Sequence, residues 1–556
     1  MLKTNISQRK LIIDFFKKNL LLTAGAFFFG FLSIFSTLLI PLFLGKFYQL
    51  AMKSDSARGK IFNTIFGEIN DIENYFVLFG IIIFTRFIFS YIQSLLSGIS
   101  AEKFTKTLRE LLFQSQLNSD LSFFEKKATG NYLLRYSGDL SSVNKYITKG
   151  IIGFINDVLF IGLTLGLFFM INPTLSLILL VSFPILFLLV FLLNLKLKKY
   201  TSLRRDIRSQ NLGFVSSRLN SLLTIKVFNR ESIESDKFEK RSTKLYQNGI
   251  HYFKWYALID SLLPFLLYLM LGVILFVAYR VHESGESKLE GSQILIFIML
   301  TVNIIPVLKR ILKVNIIWQT GTISFRKMLQ ILNSPTEIST KNEVLKVQTG
   351  KIQFENVTFG INKEIYLVKD INFSVPGFGF YLLDGEQGSG KTTIFKLILG
   401  LYSPESGKIV IEEKDTSIYT SKAIRKNVTM VSNELNLLGK TLFEAVSYSR
   451  KEEKKQEVSD LLITLGFFNA DNVNLSMPLI DGGKNLSTGQ RKLLLITRAL
   501  LTNKKIILLD EPFPDLDDSY KDKLIQLLKI KSQTNTIIII DKEKNQSIVY
   551  NGIINI

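Results

Sequence analysis

The stretch YLLDGEQGSGKTT, from Tyr381 to Thr393, decides the fold of the C-terminal part of the chain. Its apolar start predicts a buried strand, its glycines a tight turn, and its end a helix beginning near Lys391. Glycine lets backbone N–H groups approach phosphate oxygens, and the helix N-terminus adds a favourable partial charge. The predicted nucleotide-binding residues are Gly385, Glu386, Gln387, Gly388, Ser389, Gly390, Lys391, Thr392 and Thr393. Lys391 is placed to reach the β and γ phosphates of ATP, and Thr392 to ligate Mg²⁺.

A second apolar strand, KIILLDEP from Lys505 to Pro512, ends in two carboxylates. Asp510 is placed to bind magnesium, and Glu511 is placed to polarise the water that attacks the γ-phosphate. We therefore predict that Glu511, Lys391 and Asp510 are catalytic in ATP hydrolysis. Short Ile- and Val-rich strands alternate with helical patterns after about Asn333, as expected of an α/β domain.

The first part of the chain contains six apolar stretches close to the roughly 20 residues that a helix needs to cross a membrane. They are Leu21–Leu44, Tyr75–Ser97, Ile151–Ile171, Thr174–Leu195, Ala257–Tyr279 and Ser292–Leu308. Two connecting segments, 100–149 and 196–254, are long, polar and strongly basic. The positive-inside rule places both segments, and with them both chain ends, in the cytoplasm. We expect a bacterial inner (plasma) membrane, since abundant Ile, Lys, Asn and Phe indicate an AT-rich genome.

Composition excludes several classes of protein. The chain has 556 residues, of which 47% are hydrophobic, and its mean hydropathy of +0.25 is too high for a soluble enzyme. Its net charge of +21 follows the predicted cytoplasmic loops, so we expect no nucleic-acid partner. The absence of cysteine excludes disulfides and thiolate zinc sites. The basic, apolar segment Met1–Asn19 predicts an amphipathic helix on the inner membrane surface rather than a cleaved signal peptide.

Three further motifs carry a resemblance to a known family. LSTGQ resembles the signature of ABC ATPases, which faces the γ-phosphate of ATP held by the opposing subunit. The residues carried over from it are Leu486, Ser487, Thr488, Gly489 and Gln490. LSFFEKKATGNYLLRY, from Leu121 to Tyr136, resembles the first cytoplasmic loop of ABC exporters, and TIKVFNRE, from Thr224 to Glu231, resembles their second coupling helix. The chain therefore resembles an exporter-type ABC half-transporter over its whole length.

The resemblance implies an architecture and a set of partners. It implies an α-helical membrane domain in residues 1–333, with an N-terminal elbow helix and six spans, a linker at 334–346, and an α/β phosphate-loop ABC ATPase domain at 347–556. Two such half-transporters are expected to sandwich ATP and Mg²⁺, and a transported substrate is expected in a cavity within the lipid bilayer. The magnesium ligands implied by the family pattern are Thr392, Asn433 and Asp510.

Two positions of the ATPase part depart from the family pattern. Ile361, in VTFGI, stands where an aromatic residue stacks on adenine, and Ile offers no π face. Phe359 lies on the same predicted strand face and is the residue that would partly compensate. Asn433, in MVSNE, stands in place of the Q-loop glutamine, and its side chain is shorter by one methylene.

The third departure is the switch histidine, whose place is taken by Asp541 or Lys542. The chain's two histidines, His251 and His282, both lie in the membrane part. Two interpretations stay open. One is a homodimer with unusual switch residues, slightly favoured because homo-oligomers are common. The other is the weak or regulatory half of a heterodimer with little ATPase activity of its own. The retention of Glu511 argues against this second interpretation.

The domain order implies export, of a small molecule, a peptide or a lipid. The form LSTGQRK and the short ATPase domain resemble bacterial exporters of cyclic peptides and siderophores, with lipid flipping and drug efflux as alternatives. Charges within the spans, at Arg86, Asp157 and Asp260, either line a polar cavity or pair between helices. The adjacent Lys309 and Arg310 favour an anionic or zwitterionic cargo.

Overall fold

The computed structural model describes residues 6–52, 71–125, 132–133, 135–171, 173–283, 291–335, 344–362, 365–448, 454–542 and 548–556. The chain divides into two compact units. The membrane unit contains the described residues up to 117 and those from 132 to 333, and the ATPase unit contains residues 118–125 and those from 334 onwards. The segment 118–125 precedes the ATPase part by about 200 residues in sequence but packs with it.

The membrane unit is entirely helical in its described parts. Its helices are α1 (Gln8–Lys18), α2 (Leu20–Met52), α3 (Ile72–Leu117), α5 (Arg135–Ile171), α6 (Pro173–Asn220), α7 (Leu222–Val227), α8 (Glu231–Glu283) and α9 (Gly291–Leu332), while α4 (Leu121–Glu125) belongs to the ATPase unit. Two stretches of α5 are π-helical, Arg135–Asp139 and Tyr146–Gly153. Ser7 caps α1 by accepting a hydrogen bond from the Lys10 backbone N–H.

Within the described residues, five helices are long and apolar enough to cross a membrane: α2, α3, α5, α8 and α9. The remaining predicted span, Thr174–Leu195, falls in α6, many of whose side chains lie outside the described residues. Pro41, Pro184, Pro264 and Pro306 lie inside helices, which membrane helices tolerate because neighbouring groups satisfy the freed backbone carbonyls. The interior is apolar and aromatic. Phe168 packs against Phe297 with ring centroids 4.7 Å apart.

The ATPase unit is built on two sheets. The strands are β1 (Ile352–Asn362), β2 (Ile365–Val375), β3 (Gly379–Asp384), β4 (Ser406–Ile411), β5 (Lys414–Asp415), β6 (Val428–Val431), β7 (Ile506–Asp510), β8 (Thr536–Ile540) and β9 (Gly552–Asn555). A parallel sheet has the order β6-β7-β8-β3-β9, and an antiparallel sheet has the order β2-β1-β4-β5. The helices are α10 (Lys391–Ile398), α11 (Ser421–Arg425), α12 (Leu442–Ser447), α13 (Lys455–Thr464), α14 (Thr488–Leu500) and α15 (Asp518–Ser532).

The parallel sheet places the predicted site residues at one edge. Strands β7 and β8 are runs of Ile and Leu because both of their faces are buried. The carboxyl ends of parallel strands meet at the same edge, which is where ligands bind in open α/β sheets. The segments that leave this edge after β3, β7 and β8 carry the phosphate loop, the pair Asp510 and Glu511, and the pair Asp541 and Lys542.

Candidate functional site

The phosphate loop turns sharply between β3 and α10, and its glycines permit the turn. Gly388 and Gly390 have φ of +89° and +90°, in the left-handed region that side chains disfavour. A Cβ on Gly390 would also press against the carbonyl oxygen of Leu367. Glu386, Gln387 and Gly388 are exposed, so the outer part of the loop is open to a ligand. The loop therefore leaves backbone N–H groups available at the start of a helix, as phosphate binding requires.

Lys391 is held across the loop by the loop's own backbone. Its Nζ donates hydrogen bonds to the carbonyl oxygens of Gly385, at 2.6 Å, and Glu386, at 2.8 Å. The Ser389 N–H in turn donates to the Glu386 carbonyl at 3.2 Å, which closes the turn. The geometry thus places an ammonium group within the loop that is expected to cradle the phosphates, where it can act as a point charge on them.

Thr392 joins the phosphate loop to the end of β7. Its Oγ1 donates a hydrogen bond of 2.8 Å to Oδ2 of Asp510. Burial raises the pKa of Asp510, and the bond from Thr392 opposes that rise. A hydroxyl and a carboxylate oxygen at this spacing suit Mg²⁺, which prefers oxygen ligands and takes few of them from protein when phosphates supply the rest. Among the described residues, no group of three or more His, Cys, Asp or Glu could form an all-protein metal cage.

Glu511 is the next residue, and it is paired with Lys542. The two side chains form an ion pair with Nζ 2.6 Å from Oε1. Glu511 has φ of +51°, and its N–H donates to the carbonyl of Ile540 at the end of β8, which fixes the turn at the sheet edge. Hydrogen bonding to Glu511 raises the pKa of Lys542, so the ammonium stays charged at neutral pH.

Of the two candidates for the switch position, the structure brings only Lys542 to Glu511. Asp541 is buried, with 6% of its surface exposed, and lies beside Tyr550. Burial and the Asp541 charge raise the pKa of Tyr550 to about 12. Lys542 is therefore the candidate that places a cation in contact with the predicted general base, where the family pattern has an imidazole.

Asn433 lies in the segment after β6, and its side chain is exposed. Its backbone carbonyl accepts a hydrogen bond of 3.4 Å from Arg491, which stands just after the signature motif. The neighbouring Glu434 forms an ion pair of 2.9 Å with Lys396 of α10, and its charge adds to the rise in the pKa of Asp510. Sequence reasoning assigned no role to Glu434, Lys396 or Arg491, because only the fold brings them to this edge.

The signature motif forms the capped start of α14. The Ser487 hydroxyl accepts from the Gln490 N–H at 3.1 Å, and the Gln490 side chain accepts from the Ser487 N–H at 3.0 Å, forming a capping box. A Cβ on Gly489 would collide with the backbone carbonyl of Asp515, so glycine is required for α14 to pack on the following loop. Lys492 is buried and holds the same loop by donating to the Pro514 carbonyl at 2.6 Å.

In the described part of the chain, no hydrogen bond or ion pair joins the signature motif, residues 486–490, to the phosphate loop, residues 385–393. Thr393 lies on the first turn of α10 beside Thr392. The structure thus brings together Lys391, Thr392, Asp510 and Glu511, but not the two motifs that are expected to sandwich one nucleotide.

Two residues, Ile361 and Phe359, were expected near the adenine of ATP. The side chain of Ile361 lies outside the described residues. The ring of Phe359 is 9% exposed and stacks on Tyr402, with centroids 4.8 Å apart and an interplanar angle of 12°. Phe359 therefore uses one face of its ring within the protein, and its partial compensation for Ile361 stays a prediction.

Two of the charges predicted within the spans, Asp157 and Asp260, are paired between helices. Arg310 of α9 donates to both oxygens of Asp157, at 3.0 and 3.1 Å. Asp260 lies 3.1 Å from Lys313 and 3.7 Å from Lys309. Asp157 pairs with Arg310, whereas the single carboxylate of Asp260 is shared by Lys309 and Lys313, so one positive charge remains in this group. The expectation of an anionic or zwitterionic cargo stays a prediction. Arg86 is exposed on α3 in the isolated chain.

Comparison with known proteins agrees with this geometry. Residues 23–305 match the ABC transporter transmembrane region, and residues 368–514 match the ABC transporter family. The ATP-dependent lipid A-core flippases of Escherichia coli (strain K12) and Salmonella typhimurium (strain LT2) are each 27% identical over 469 residues, which is 83% of this chain and 79% of the relative. The structure of a bacterial Atm1-family ABC exporter with ATP bound matches with a TM-score of 0.80 and 18% identity, covering 93% of this chain and 90% of that one.

The two matched regions cover the helical unit and the phosphate-loop unit in the order of an exporter. They confirm the predicted fold class and the prediction of an ATPase coupled to transport, and ATP is the nucleotide that such a domain binds. The chain belongs to the ABC transporter family and is an ABC exporter half-transporter, a membrane protein that combines one membrane domain with one ATPase domain.

Proposed function

We propose that this chain exports a small molecule, peptide or lipid across a bacterial inner membrane by alternating access, as one half of a dimer that hydrolyses ATP at its own site. The observation that carries the proposal is the 2.8 Å hydrogen bond from Thr392 to Asp510, with Glu511 as the next residue. This contact joins the phosphate loop to the strand end where metal binding and water activation are expected. Magnesium held there would neutralise charge on the transferred phosphoryl group.

In the proposed dimer, one subunit's phosphate loop and the other's signature motif close on each ATP. The separation of these motifs within the chain supports this arrangement, as does the intact capping box that presents the N-terminus of α14. On this proposal the nucleotide contacts of one chain are residues 385–393 with Asn433, and those of the opposing chain are residues 486–490. Thr392, Asp510 and Asn433 are the proposed magnesium ligands.

Closure is proposed to reach the membrane helices through the two cytoplasmic loops. In the first loop, Glu125 of α4 contacts Lys396 at 3.6 Å and accepts a hydrogen bond from Tyr402, so this loop is tied to the helix that follows the phosphate loop. In the second loop, Leu223 and Phe228 around α7 are 78% and 67% exposed. An exposed apolar surface of this kind indicates a docking site, and the second subunit is its proposed partner.

The cargo is proposed from two independent resemblances. The relatives that share 27% identity are lipid A-core flippases, which favours a lipid. The LSTGQRK form instead resembles exporters of cyclic peptides and siderophores. We also propose that both chain ends lie in the cytoplasm. The positive-inside rule places the basic segments 100–149 and 196–254 there, and with six spans the chain ends lie on the same side as these segments.

A second candidate function is a regulatory half of a heterodimer. The ion pair between Lys542 and Glu511 favours it, because a base that is neutralised by a cation is less able to polarise water. The two candidates differ in whether this chain hydrolyses ATP without another polypeptide.

The test is ATP hydrolysis by this chain, purified alone in lipid nanodiscs, with Glu511→Gln as the control. We expect turnover that the substitution lowers by about 10²–10⁴-fold, as for loss of a general base. Equal turnover of the two proteins would leave the homodimer without support and direct the search to co-purifying chains. Export itself is measured as ATP-dependent accumulation of candidate lipids and peptides in inside-out vesicles.

A further inference from the structure

The membrane unit contains a basic cavity outside the predicted spans. It has a volume of about 670 Å³ and is bounded by α6, α8 and α9. Five cations line it, namely Lys198, Arg204, Arg205, Arg208 and Arg326, together with the aromatic rings of Tyr252 and Trp318. Among its lining residues, all of which the structure describes, there is no Asp or Glu.

The cations lack acidic partners within the described residues: no salt bridge joins any of the five to a carboxylate. Arg204 lies over the ring of Tyr252, 5.1 Å from its centroid, and Arg205 donates to Ser324 at 3.5 Å. Asp139, which also contacts Ser324, is already paired with Arg135. The cavity therefore differs from the end of the last apolar run, where Arg310 pairs with Asp157 and Lys309 contacts Asp260.

Its depth can be worked out from helix geometry. At about 1.5 Å per residue, Lys198 lies about 5 Å beyond the end of the apolar run at Leu195, and Arg208 lies about 20 Å beyond it. Arg326 lies about 27 Å beyond the end of the last apolar run at Leu308. The headgroup layer is only about 5–8 Å thick on each side, so the cavity extends from the headgroups into the cytoplasm. Ligands can reach it from water or from the inner leaflet.

We propose that this cavity binds a phosphorylated ligand, presented either as a lipid headgroup or as a soluble phosphate ester, where cargo enters the export path from the cytoplasm. Four of the five cations are arginines, whose planar forks match phosphate oxygens. A phosphate monoester carries close to two charges in a small volume, more than a carboxylate does, and so fits a cavity without acids. The link to the export path rests on the proposed function, whereas the binding does not.

Trp318 is a reporter at the cavity wall. The chain has two tryptophans, Trp255 and Trp318, and only Trp318 lines the cavity. Its indole N–H donates to the Gly150 carbonyl at 2.7 Å, which fixes the ring. In full-length protein carrying Trp255→Phe, tryptophan fluorescence therefore reports from the cavity wall.

The experiment has two arms. In the first, fructose 1,6-bisphosphate is titrated into nanodiscs of phosphatidylcholine, and in the second, phosphatidic acid replaces part of the phosphatidylcholine. The test variant is R208Q/R326Q, because both arginines are exposed and have no recorded packing role. The matched control is K196Q/K199Q, which removes the same charge from α6 outside the cavity. Repeating the titration with Lys391→Ala removes phosphate binding at the nucleotide loop.

We expect a saturable change in Trp318 fluorescence that R208Q/R326Q weakens at least about tenfold and K196Q/K199Q changes by less than about threefold. A response to the soluble bisphosphate identifies a solute site, a response to phosphatidic acid identifies a headgroup site, and either supports the proposal. The proposal is overturned if neither arm gives a saturable response, or if the two double variants weaken the fluorescence response equally. ATP hydrolysis of the same samples against Glu511→Gln separates this outcome from failure of the proposed function.

Discussion

Replacing Lys542 by alanine tests whether this lysine takes over the part of the missing switch histidine. Its Nζ holds one oxygen of Glu511 at 2.6 Å, and the Glu511 side chain is 24% exposed, so the carboxylate has room to move when that contact is lost. Because a misplacement of about 1 Å costs roughly a hundredfold in rate, we expect turnover to fall by about 10- to 100-fold. The loss should be smaller than that of Glu511→Gln, which removes the base itself.

The assay measures ATP hydrolysis and ATP affinity separately in nanodiscs. A positioning role predicts a fall in kcat with little change in affinity, whereas a direct contact with the γ-phosphate predicts a change in both. Lys542→Arg keeps the charge and should retain most of the activity, and Lys521→Ala is a matched control because Lys521 pairs with Asp518 rather than with Glu511. Wild-type or faster turnover of Lys542→Ala would refute the reasoning and indicate that the ion pair restrains Glu511.

Three other predictions follow from the ATPase unit. Gly489→Ala should abolish most ATP hydrolysis but leave ATP binding to residues 385–393 intact, because the new Cβ displaces the Asp515 carbonyl; unchanged turnover would contradict this. Lys396→Met should lower the free energy of unfolding by about 1–2 kcal/mol in thermal denaturation, and by more than Lys408→Met, which breaks an exposed pair. Because burial raises the pKa of Asp510, Mg²⁺ affinity measured by titration of hydrolysis should begin to weaken at a higher pH than it would for an ordinary Asp as the pH falls.

Much of the ATPase unit could be predicted because its motifs specify local geometry. The glycines of the phosphate loop and the apolar strand before Asp510 each predict an element and a role. The fold class follows from them, and the parallel sheet explains why the segments after β3, β7 and β8 converge. By contrast, the pairing of Lys542 with Glu511 depends on β8 lying between β7 and β3. No local pattern in the sequence encodes that order.

The membrane unit shows a different limit. Hydropathy locates apolar stretches well, since a helix must bury about 20 apolar residues, but it says nothing of which face meets which. Lys309 and Arg310 are adjacent in sequence and read as one basic pair, yet α9 directs them to different acids, Asp260 and Asp157. The basic cavity escaped prediction for the same reason, because its residues come from three helices that are far apart in sequence.

The distribution of the departures bears on whether the chain works as a homodimer. Ile361, Asn433 and Lys542 all belong to motifs that are expected to bind the chain's own ATP, whereas the signature motif keeps its capping box and its close packing at Gly489. A heterodimer needs only an intact signature from this chain, while a homodimer needs both sides to function. Gly489→Ala and Lys542→Ala separate the two cases. In a homodimer each substitution lowers the turnover of the chain alone, whereas in a heterodimer only Gly489→Ala lowers the turnover of the complex, because the competent site on the partner chain uses this signature.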